Sequence, residues 1–176
     1  MGDVIIQKLD AAGQDQVSRF RMADDFDLQN FLRRHARKSA AAQLTTTYVA
    51  KVDGSNVVIG YVSLMCAEVK LEQSYSIQDK QGADHYVYQP AIRIARLAVC
   101  DNYRRHALKV GTKLLYTAIG IAVESIQPLI GCRFIVLDAK KKSIGFYEQK
   151  GFIVLDTPVN RAAESPTMFM DLRSLA

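Results

Sequence analysis

The spacing of apolar and polar residues along the chain predicts a regular series of strands and helices. Short apolar runs rich in β-branched residues predict strands, and apolar residues recurring every three or four positions predict helices. The predicted strands are Val4–Ile6, Tyr48–Val52, Val57–Val69, Ile92–Val99, Arg133–Asp138, Phe152–Leu155 and Thr167–Leu172. The predicted helices are Gly13–Phe20, Asp25–Ala42, Val110–Ser125 and Lys141–Gln149, with Gly151 ending the last.

The order of these elements predicts the fold class. Asp53-Gly54 between two strands is typical of a tight hairpin. A strand–helix–strand–helix–strand unit follows it, after a polar stretch from Leu71 to Pro90 that we interpret as a long loop. We therefore expect an α/β (α+β) protein, a single domain over residues 1–176. Its sheet is mixed and mostly antiparallel, with six or seven strands and about four helices.

The amino-acid composition excludes several classes of protein for this chain. The chain has 176 residues, of which 49% are hydrophobic and 23% charged, as in ordinary globular proteins. No apolar run is long enough to cross a bilayer, and Met1–Asp10 lacks the features of a signal peptide, so we expect a cytoplasmic protein without a membrane partner. We interpret Cys66, Cys100 and Cys132 as small buried residues, and the histidine spacing predicts no metal site. A net charge of +5 hints at a polyanionic ligand, either cofactor phosphates or a nucleic acid.

A first candidate for chemistry is the connection from the strand Leu97-Ala98-Val99 to the helix that follows Gly111-Thr112. A strand that turns into a helix N-terminus presents backbone N–H groups, which bind phosphate with the help of the helix dipole. Nearby positive charge comes from Arg104, Arg105, His106 and Lys109. On these residues alone, an ordinary connection with solvated cations is the simpler explanation, because basic loops are common.

A second candidate is the segment after the strand Ile135-Val136-Leu137-Asp138. It carries Phe146-Tyr147-Glu148 and then Gly151-Phe152. Tyr147 is able to act as a proton donor, but on its own it is explained more simply as a half-buried aromatic beside Phe146.

Together the two segments resemble the GCN5-related (GNAT) N-acetyltransferases. The second matches the family signature A-x-x-F-Y-E-x-x-G-F in register, with Ser143 in place of the alanine. The first follows L-A-V but departs from the family pattern R/Q-x-x-G-x-G/A. Counting from Arg104 places Ala107 and Lys109 at the glycine positions, whereas counting back from Gly111 places Lys109 at the first glycine and His106 at the arginine. The resemblance implies the GNAT fold and acetyl-CoA as co-substrate, and the departure puts normal cofactor binding in question.

The resemblance also assigns roles. An amine attacks the thioester, the backbone N–H groups near Leu97 and Val99 stabilise the oxyanion, and Tyr147 donates a proton to the CoA thiolate. The implied cofactor-binding residues are Leu97, Ala98, Val99, Arg104, Arg105, His106, Lys109, Gly111, Thr112 and Phe146. Glu68 is the best candidate for a general base, although a solvated or ion-paired Glu68 explains it more simply. Without an evident base, an α-amine titrating near 8 is favoured over a lysine titrating near 10.4.

Further segments resemble one branch of the family, the acetyltransferase toxins of bacterial toxin–antitoxin pairs, which acetylate the amino acid on charged tRNA. They include Phe26-Asp27, Leu28–Lys38, Ile59–Leu64 and Met168–Met170. This resemblance implies aminoacyl-tRNA as acceptor, a ribbon-helix-helix antitoxin as partner and a homodimer.

The implied substrate-binding residues are Arg33, Arg34, Arg37, Lys38 and Arg93, and Lys140–Lys142 are candidates for tRNA or CoA phosphates. By residue type alone, a solvated helix face explains either cluster of neighbouring cations more simply. A housekeeping enzyme for small amines or protein N-termini and a silent GNAT-fold binding protein are the alternatives.

Overall fold

The computed structural model describes residues 3–71 and 87–175 and contains one seven-stranded sheet. The strands are β1 (Val4–Lys8), β2 (Thr46–Val52), β3 (Val58–Lys70), β4 (Tyr88–Val99), β5 (Phe134–Asp138), β6 (Ile153–Val154) and β7 (Thr167–Asp171). Their order in the sheet is β1-β2-β3-β4-β5-β7-β6. β4 pairs with β5 in parallel, whereas β1–β2, β2–β3, β5–β7 and β6–β7 are antiparallel. The predicted mixed, mostly antiparallel sheet is confirmed.

Three of the four predicted helices are present. Residues 26–41 are helical throughout, as α1 (Phe26–Asn30), a π-helical turn (Phe31–His35) and α2 (Ala36–Ala41). The later helices are α3 (Val110–Gly120), continued by a π-helical turn (Ile121–Ile126), α4 (Ile144–Glu148) and the short α5 (Pro158–Ala162). Asp25 begins the first helix by accepting a hydrogen bond from the Leu28 N–H at 3.2 Å. Gly151, with a φ of 88°, follows α4 in the left-handed conformation that only glycine adopts freely.

The helix predicted at Gly13–Phe20 is wrong, since the segment contains only a short 3₁₀ turn at Val17–Arg19. Two aspartates explain the difference. The Asp10 carboxylate accepts from the N–H groups of Gln14 and Asp15 at 2.7 and 2.9 Å. Side chains of this type compete with helical hydrogen bonds for the backbone. The Asp10 carbonyl also accepts from Arg37 Nε, and Lys51 Nζ contacts Asp15 Oδ1 at 2.7 Å.

Three smaller predictions also need correction. β4 begins at Tyr88, so the loop predicted to reach Pro90 ends earlier; residues 72–86 of that loop lie outside the described residues. The proline fits the strand because its carbonyl accepts from the Arg133 N–H and no ladder donor is required of it. Cys66 is exposed rather than buried, unlike Cys100 and Cys132. α5, which starts with Thr157 as its cap and Pro158 in its first turn, was not predicted.

The chain divides into two compact units, each with its own contacts. One comprises Met1–Met65 with Ala95–Gly120, and the other Cys66–Ile94 with Ile121–Ala176. The core of the first includes Phe20, Phe31, Val49 and Tyr61, and that of the second includes Val69, Phe134 and Phe169. A single domain over the whole chain stays a prediction. Within the described parts, no helix has the length and apolar character required to span a membrane.

Gly60 allows α3 to approach the sheet closely in the first unit. A Cβ at this position would lie 2.8 Å from Val110 Cγ1, 2.9 Å from Leu114 Cδ1 and 3.2 Å from the Ala98 carbonyl oxygen. Val110 and Leu114 belong to the first turns of α3. The missing side chain of Gly60 therefore allows the first turns of α3, which follow the candidate phosphate-binding turn, to pack against β3.

Candidate active site

The hydrogen bonds at the two ends of β4 show that the alternation of its backbone N–H and C=O groups between the two edges of the strand shifts by one residue along its length. Near its start, the Pro90 carbonyl accepts from the Arg133 N–H at 2.9 Å, on the side of β5. Directly after its end, the Cys100 N–H donates to the Ile59 carbonyl at 2.9 Å, on β3. Positions 90 and 100 would share one edge of a regular strand, because the direction alternates with a period of two. β4 therefore contains a one-residue irregularity between them, a β-bulge.

The bulge leaves two backbone donors of β4 on an edge without a ladder. The ladder between β4 and β5 runs from Ala91↔Phe134 to Ile94↔Leu137 and extends no further among the described residues. Alternation back from Cys100 directs the N–H groups of Leu97 and Val99 away from β3. These two donors are suited to binding a carbonyl oxygen or an oxyanion.

The turn between β4 and α3 holds two residues other than glycine in left-handed backbone. Arg105 has a φ of 57° and Lys109 a φ of 47°. This conformation disfavours side chains, and glycine adopts it at little cost. Lys109 occupies a glycine position in the pattern quoted above, whether the residues are counted from Arg104 or back from Gly111. The turn therefore keeps a backbone conformation typical of glycine with a lysine in its place.

The first turn of α3 offers donors to an anion. The Lys113 N–H donates to the Lys109 carbonyl at 3.1 Å. The preceding N–H groups, of Val110, Gly111 and Thr112, have no acceptor among the residues described. Such groups at a helix N-terminus, supported by the dipole of the 11-residue helix, fit a phosphate.

The basic side chains of the turn differ in whether they form contacts within the protein. Arg104 contacts Asp24 Oδ1 at 2.6 Å and Asp101 Oδ1 at 3.5 Å, and the hydrogen bond to Asp24 raises its pKa. His106 Nδ1 accepts from the Leu108 N–H at 3.2 Å. Arg104 and His106 thus stabilise the turn itself. The side chains of Arg105 and Lys109 are exposed, and their charges are accessible to a ligand's phosphates.

Tyr147 lies in α4 between two other aromatic rings. Its ring centroid is 5.1 Å from that of Phe146 and 5.8 Å from that of Phe152, both edge-to-face. The side chain is 8% exposed, and burial raises its pKa to about 12. No residue in the described part of the chain forms a hydrogen bond with its hydroxyl. Tyr147 therefore keeps its proton at neutral pH and has it available for donation.

The four predicted substrate-binding cations of the helix over residues 26–41 do not share one exposed surface. Arg33 Nη2 donates to the Phe20 carbonyl at 2.6 Å, and its Nε is buried without a partner among the described residues. Arg37 donates to the carbonyls of Asp10 and Asp15 at 2.9 and 3.1 Å. Arg34 and Lys38 are exposed. Only the latter two are free to face a polyanion without breaking internal contacts.

The remaining predicted cations and the candidate base lie in different surroundings. Arg93 Nη1 contacts Asp138 Oδ2 at 2.6 Å, and the same carboxylate accepts from Thr167 Oγ1 at 2.7 Å. Arg93 thus has a carboxylate partner already. Glu68 is exposed on β3, and Lys140, Lys141 and Lys142 are exposed before α4.

Arg96, which the sequence analysis did not select, forms a distinct contact. Its guanidinium carbon lies 3.8 Å from the centroid of the Phe31 ring. The two residues are 65 positions apart, so no local pattern signals the contact.

Comparison with known proteins finds solved structures with a similar fold. Among solved structures, KacT with a tyrosine replaced by phenylalanine is similar at a TM-score of 0.83 and 19% identity, covering 98% of this chain and 97% of that one. AtaT complexed with acetyl-methionyl-tRNAfMet is similar at 0.82 and 22%, with coverage of 98% and 97%. AtaTR bound with AcCoA is similar at 0.74 and 19%, with coverage of 98% and 96%. At these identities the likeness shows the fold.

The family match comes from the sequence. The model of the acetyltransferase (GNAT) family matches residues 14–152, which is more than half of the chain and includes both the turn before α3 and Tyr147. The protein therefore belongs to the acetyltransferase (GNAT) family.

Proposed function

We propose that this acetyltransferase transfers the acetyl group of acetyl-CoA to the α-amine of an aminoacyl-tRNA. The observation that carries the proposal is the likeness over nearly the whole chain to AtaT, which was solved with acetyl-methionyl-tRNAfMet. The exposed cations Arg34 and Lys38 and the net charge of +5 support an acceptor that is a polyanion.

The turn before α3 fits the cofactor's phosphates despite its missing glycines. In this proposal the N–H groups of Gly111 and Thr112 donate to the pyrophosphate, and Arg105 and Lys109 add charge. Arg104 and His106 contribute by holding the turn in shape. Phe146 and Ala98 complete the predicted cofactor contacts.

Acetyl-CoA supplies the acetyl thioester. The N–H groups of Leu97 and Val99 bind the thioester oxygen and stabilise the negative charge that develops on it. The α-amine attacks the thioester carbonyl carbon, a C–N bond forms and the C–S bond breaks. Tyr147 donates its hydroxyl proton to the departing thiolate, the amine nitrogen releases one proton to water, and Tyr147 regains its proton from water. A neutral α-amine needs little help from a base near pH 8, which fits a site whose only proposed candidate, Glu68, is an exposed carboxylate.

Acetyl transfer from radiolabelled acetyl-CoA tests the proposal. The purified protein is incubated with charged tRNA, with the same tRNA deacylated, with free amino acids and with peptides. We expect label only on charged tRNA, and alkaline hydrolysis of the ester should release it as acetyl-amino acid. Tyr147→Phe serves as the control for enzyme-dependent transfer. Label on peptides or free amines but not on charged tRNA contradicts the proposal and favours a housekeeping enzyme.

We further propose a toxin role in the cytoplasm, as a homodimer neutralised by a ribbon-helix-helix antitoxin. The support is that AtaT was solved bound to the C-terminus of the antitoxin AtaR, at 20% identity to this chain and a TM-score of 0.76. Light scattering measures the oligomer. Growth arrest on expression, absent for Tyr147→Phe, checks the toxin role.

A further inference from the structure

Arg96 is held in a rigid aromatic setting on β4. Its guanidinium stacks on Phe31, whose ring stacks in turn on Tyr61 at 6.1 Å and 27°. Phe20 meets Tyr61 edge-to-face at 5.6 Å, and the Tyr61 hydroxyl donates to the Leu28 carbonyl at 2.7 Å. Phe20, Phe31 and Tyr61 are all buried. The plane of the guanidinium is thereby fixed by the core of the first unit.

The hydrogen-bonding groups of Arg96 are not used by the fold. Other arginines have acceptors: Arg93 and Arg104 contact carboxylates, and Arg33 and Arg37 donate to carbonyl oxygens. For Arg96, no residue of the described ranges accepts a hydrogen bond or forms an ion pair. The side chain is nevertheless half-buried. Removing a charge from water without an anion is costly, so this arrangement suits a group that completes its contacts with a ligand.

The place of Arg96 in β4 restricts which ligand this is. Leu97, the next residue, carries one of the N–H groups proposed to bind the thioester oxygen, and Arg96 itself projects toward the helix over residues 26–41. A group bound by Arg96 therefore lies near the reacting acyl carbon. A guanidinium presents a planar fork of donors that matches phosphate oxygens, and stacking on a ring leaves the edge of that fork free.

We propose that Arg96 is an acceptor-binding residue, and that it binds the phosphodiester nearest to the reacting amine of the acceptor. This inference rests on the proposed function, because an aminoacyl-tRNA carries such a phosphate between its last two nucleotides. A peptide N-terminus or a free amino acid carries none. The contact positions the amine against the thioester and distinguishes a nucleic-acid acceptor from other amines.

Three acceptors with the same amino acid test the contact. The first is charged tRNA. The second is the dinucleotide cytidylyl-adenosine carrying the amino acid, which keeps the phosphodiester, and the third is aminoacyl-adenosine, which lacks it. Arg96→Met keeps a flexible stem over Phe31 and removes the charge, and Arg96→Lys keeps the charge without the fork. Arg161→Met, an exposed arginine of α5, is the matched control. The readouts are kcat/KM for each acceptor, the Kd of acetyl-CoA and the melting temperature.

For Arg96→Met we expect kcat/KM to fall about 10- to 100-fold with both phosphate-containing acceptors, the usual range for a lost charged hydrogen bond. Aminoacyl-adenosine should react about equally with the variant and the wild type, and the Kd of acetyl-CoA should not change. Arg96→Lys should lose less than Arg96→Met, and Arg161→Met should lose nothing.

Other results overturn the inference. If Arg96→Met lowers kcat/KM equally for all three acceptors, or lowers it for none of them, Arg96 does not bind the phosphodiester. If the variant also binds acetyl-CoA more weakly by the same factor, Arg96 contacts the cofactor instead. If Arg96→Met does not fold, two other measurements decide whether the phosphate contact exists. They are the ratio of the wild-type kcat/KM values for the dinucleotide and for aminoacyl-adenosine, and the kcat/KM values of Arg96→Lys. A wild type that transfers acetyl to none of the three acceptors overturns the proposed function as well.

Discussion

The basic residues of the helix over residues 26–41 differ in what their charges do. Arg33 and Arg37 donate to backbone carbonyls, whereas Arg34 and Lys38 are exposed. A hydrogen bond from a charged donor contributes more to stability than one between neutral groups, and an exposed cation contributes little. Side chains one position apart in sequence thus have separate roles, one structural and one available to a partner.

Replacing Arg37 tests this division. Arg37→Ala removes the donors to Asp10 and Asp15, and we expect it to lower the free energy of unfolding by about 1–3 kcal/mol. Lys38→Ala, the matched change at the next position, should stay within about 0.5 kcal/mol of wild type. Urea unfolding measures both. Equal stability of the two variants would mean that the contacts of Arg37 contribute nothing.

Tyr147→Phe removes one hydroxyl and keeps the ring contacts with Phe146 and Phe152. We expect turnover to fall about 10²- to 10⁴-fold, with little change in melting temperature or acetyl-CoA affinity. Because burial raises the pKa of Tyr147 to about 12, its proton stays in place well above the ordinary value of 10. The turnover number of the wild type should therefore not decline between about pH 9 and pH 11 through loss of this proton. A decline with a midpoint near 10 that is absent from Tyr147→Phe contradicts this assignment.

At the scale of elements, the close contact of α3 with β3 depends on Gly60. Gly60→Ala forces its new Cβ against Val110 and Leu114, and we expect a loss of about 1–3 kcal/mol in stability. Acetyl-CoA affinity should weaken as well, because Val110 begins the helix whose first turn is proposed to bind phosphate.

Gly120→Ala, in the same helix, is the control. A Cβ there meets nothing within 4 Å, and alanine favours the helix, so stability should stay equal or rise. Thermal unfolding and calorimetry with CoA measure both variants. If Gly60→Ala binds CoA as tightly as the wild type, cofactor binding does not depend on the close contact between α3 and β3.

The sequence predicted those elements whose causes are local. The helix from Asp25 was recognisable from its apolar spacing, and α4 from Gly151 at its end. The bulge in β4 was not predictable, since it shows only in partners such as Ile59 and Arg133, which are distant in sequence. The helix predicted over Gly13–Phe20 failed for the same reason: the aspartates that break it are fixed by Arg37 and Lys51.

The candidate site divides in the same way. Tyr147 was recognisable because the residues that define it surround it within one short segment. The cations were not, because residue type alone does not separate Arg37, which is used internally, from Arg34. Arg96 was missed because its partner Phe31 lies on another element.

For the whole molecule, the net charge of +5 predicts that the affinity for an acceptor tRNA falls as the salt concentration rises. The double variant Arg34→Ala/Lys38→Ala should raise KM for charged tRNA and reduce the slope of log affinity against log salt by about one unit per lost phosphate contact. Its acetyl-CoA affinity should stay unchanged, since neither residue is proposed to contact the cofactor. Filter binding at several salt concentrations measures the slope. A slope equal to that of wild type assigns the tRNA contacts to other cations, such as Lys140–Lys142.

The exposed Arg105 and Lys109 also make the turn before α3 a set of cleavage sites. Trypsin cuts after arginine and lysine, and exposed connections are where proteases act most readily. Limited digestion should therefore cut wild-type protein in this turn, with fragments ending at Arg105 or Lys109 in the mass spectrum. Saturating CoA should protect both bonds if the cofactor's phosphates lie against them, and cutting at the same rate with and without CoA would contradict that. A glycine at position 109 would offer trypsin no bond to cut there, so cleavage after Lys109, which departs from the family pattern, reports whether the cofactor is bound.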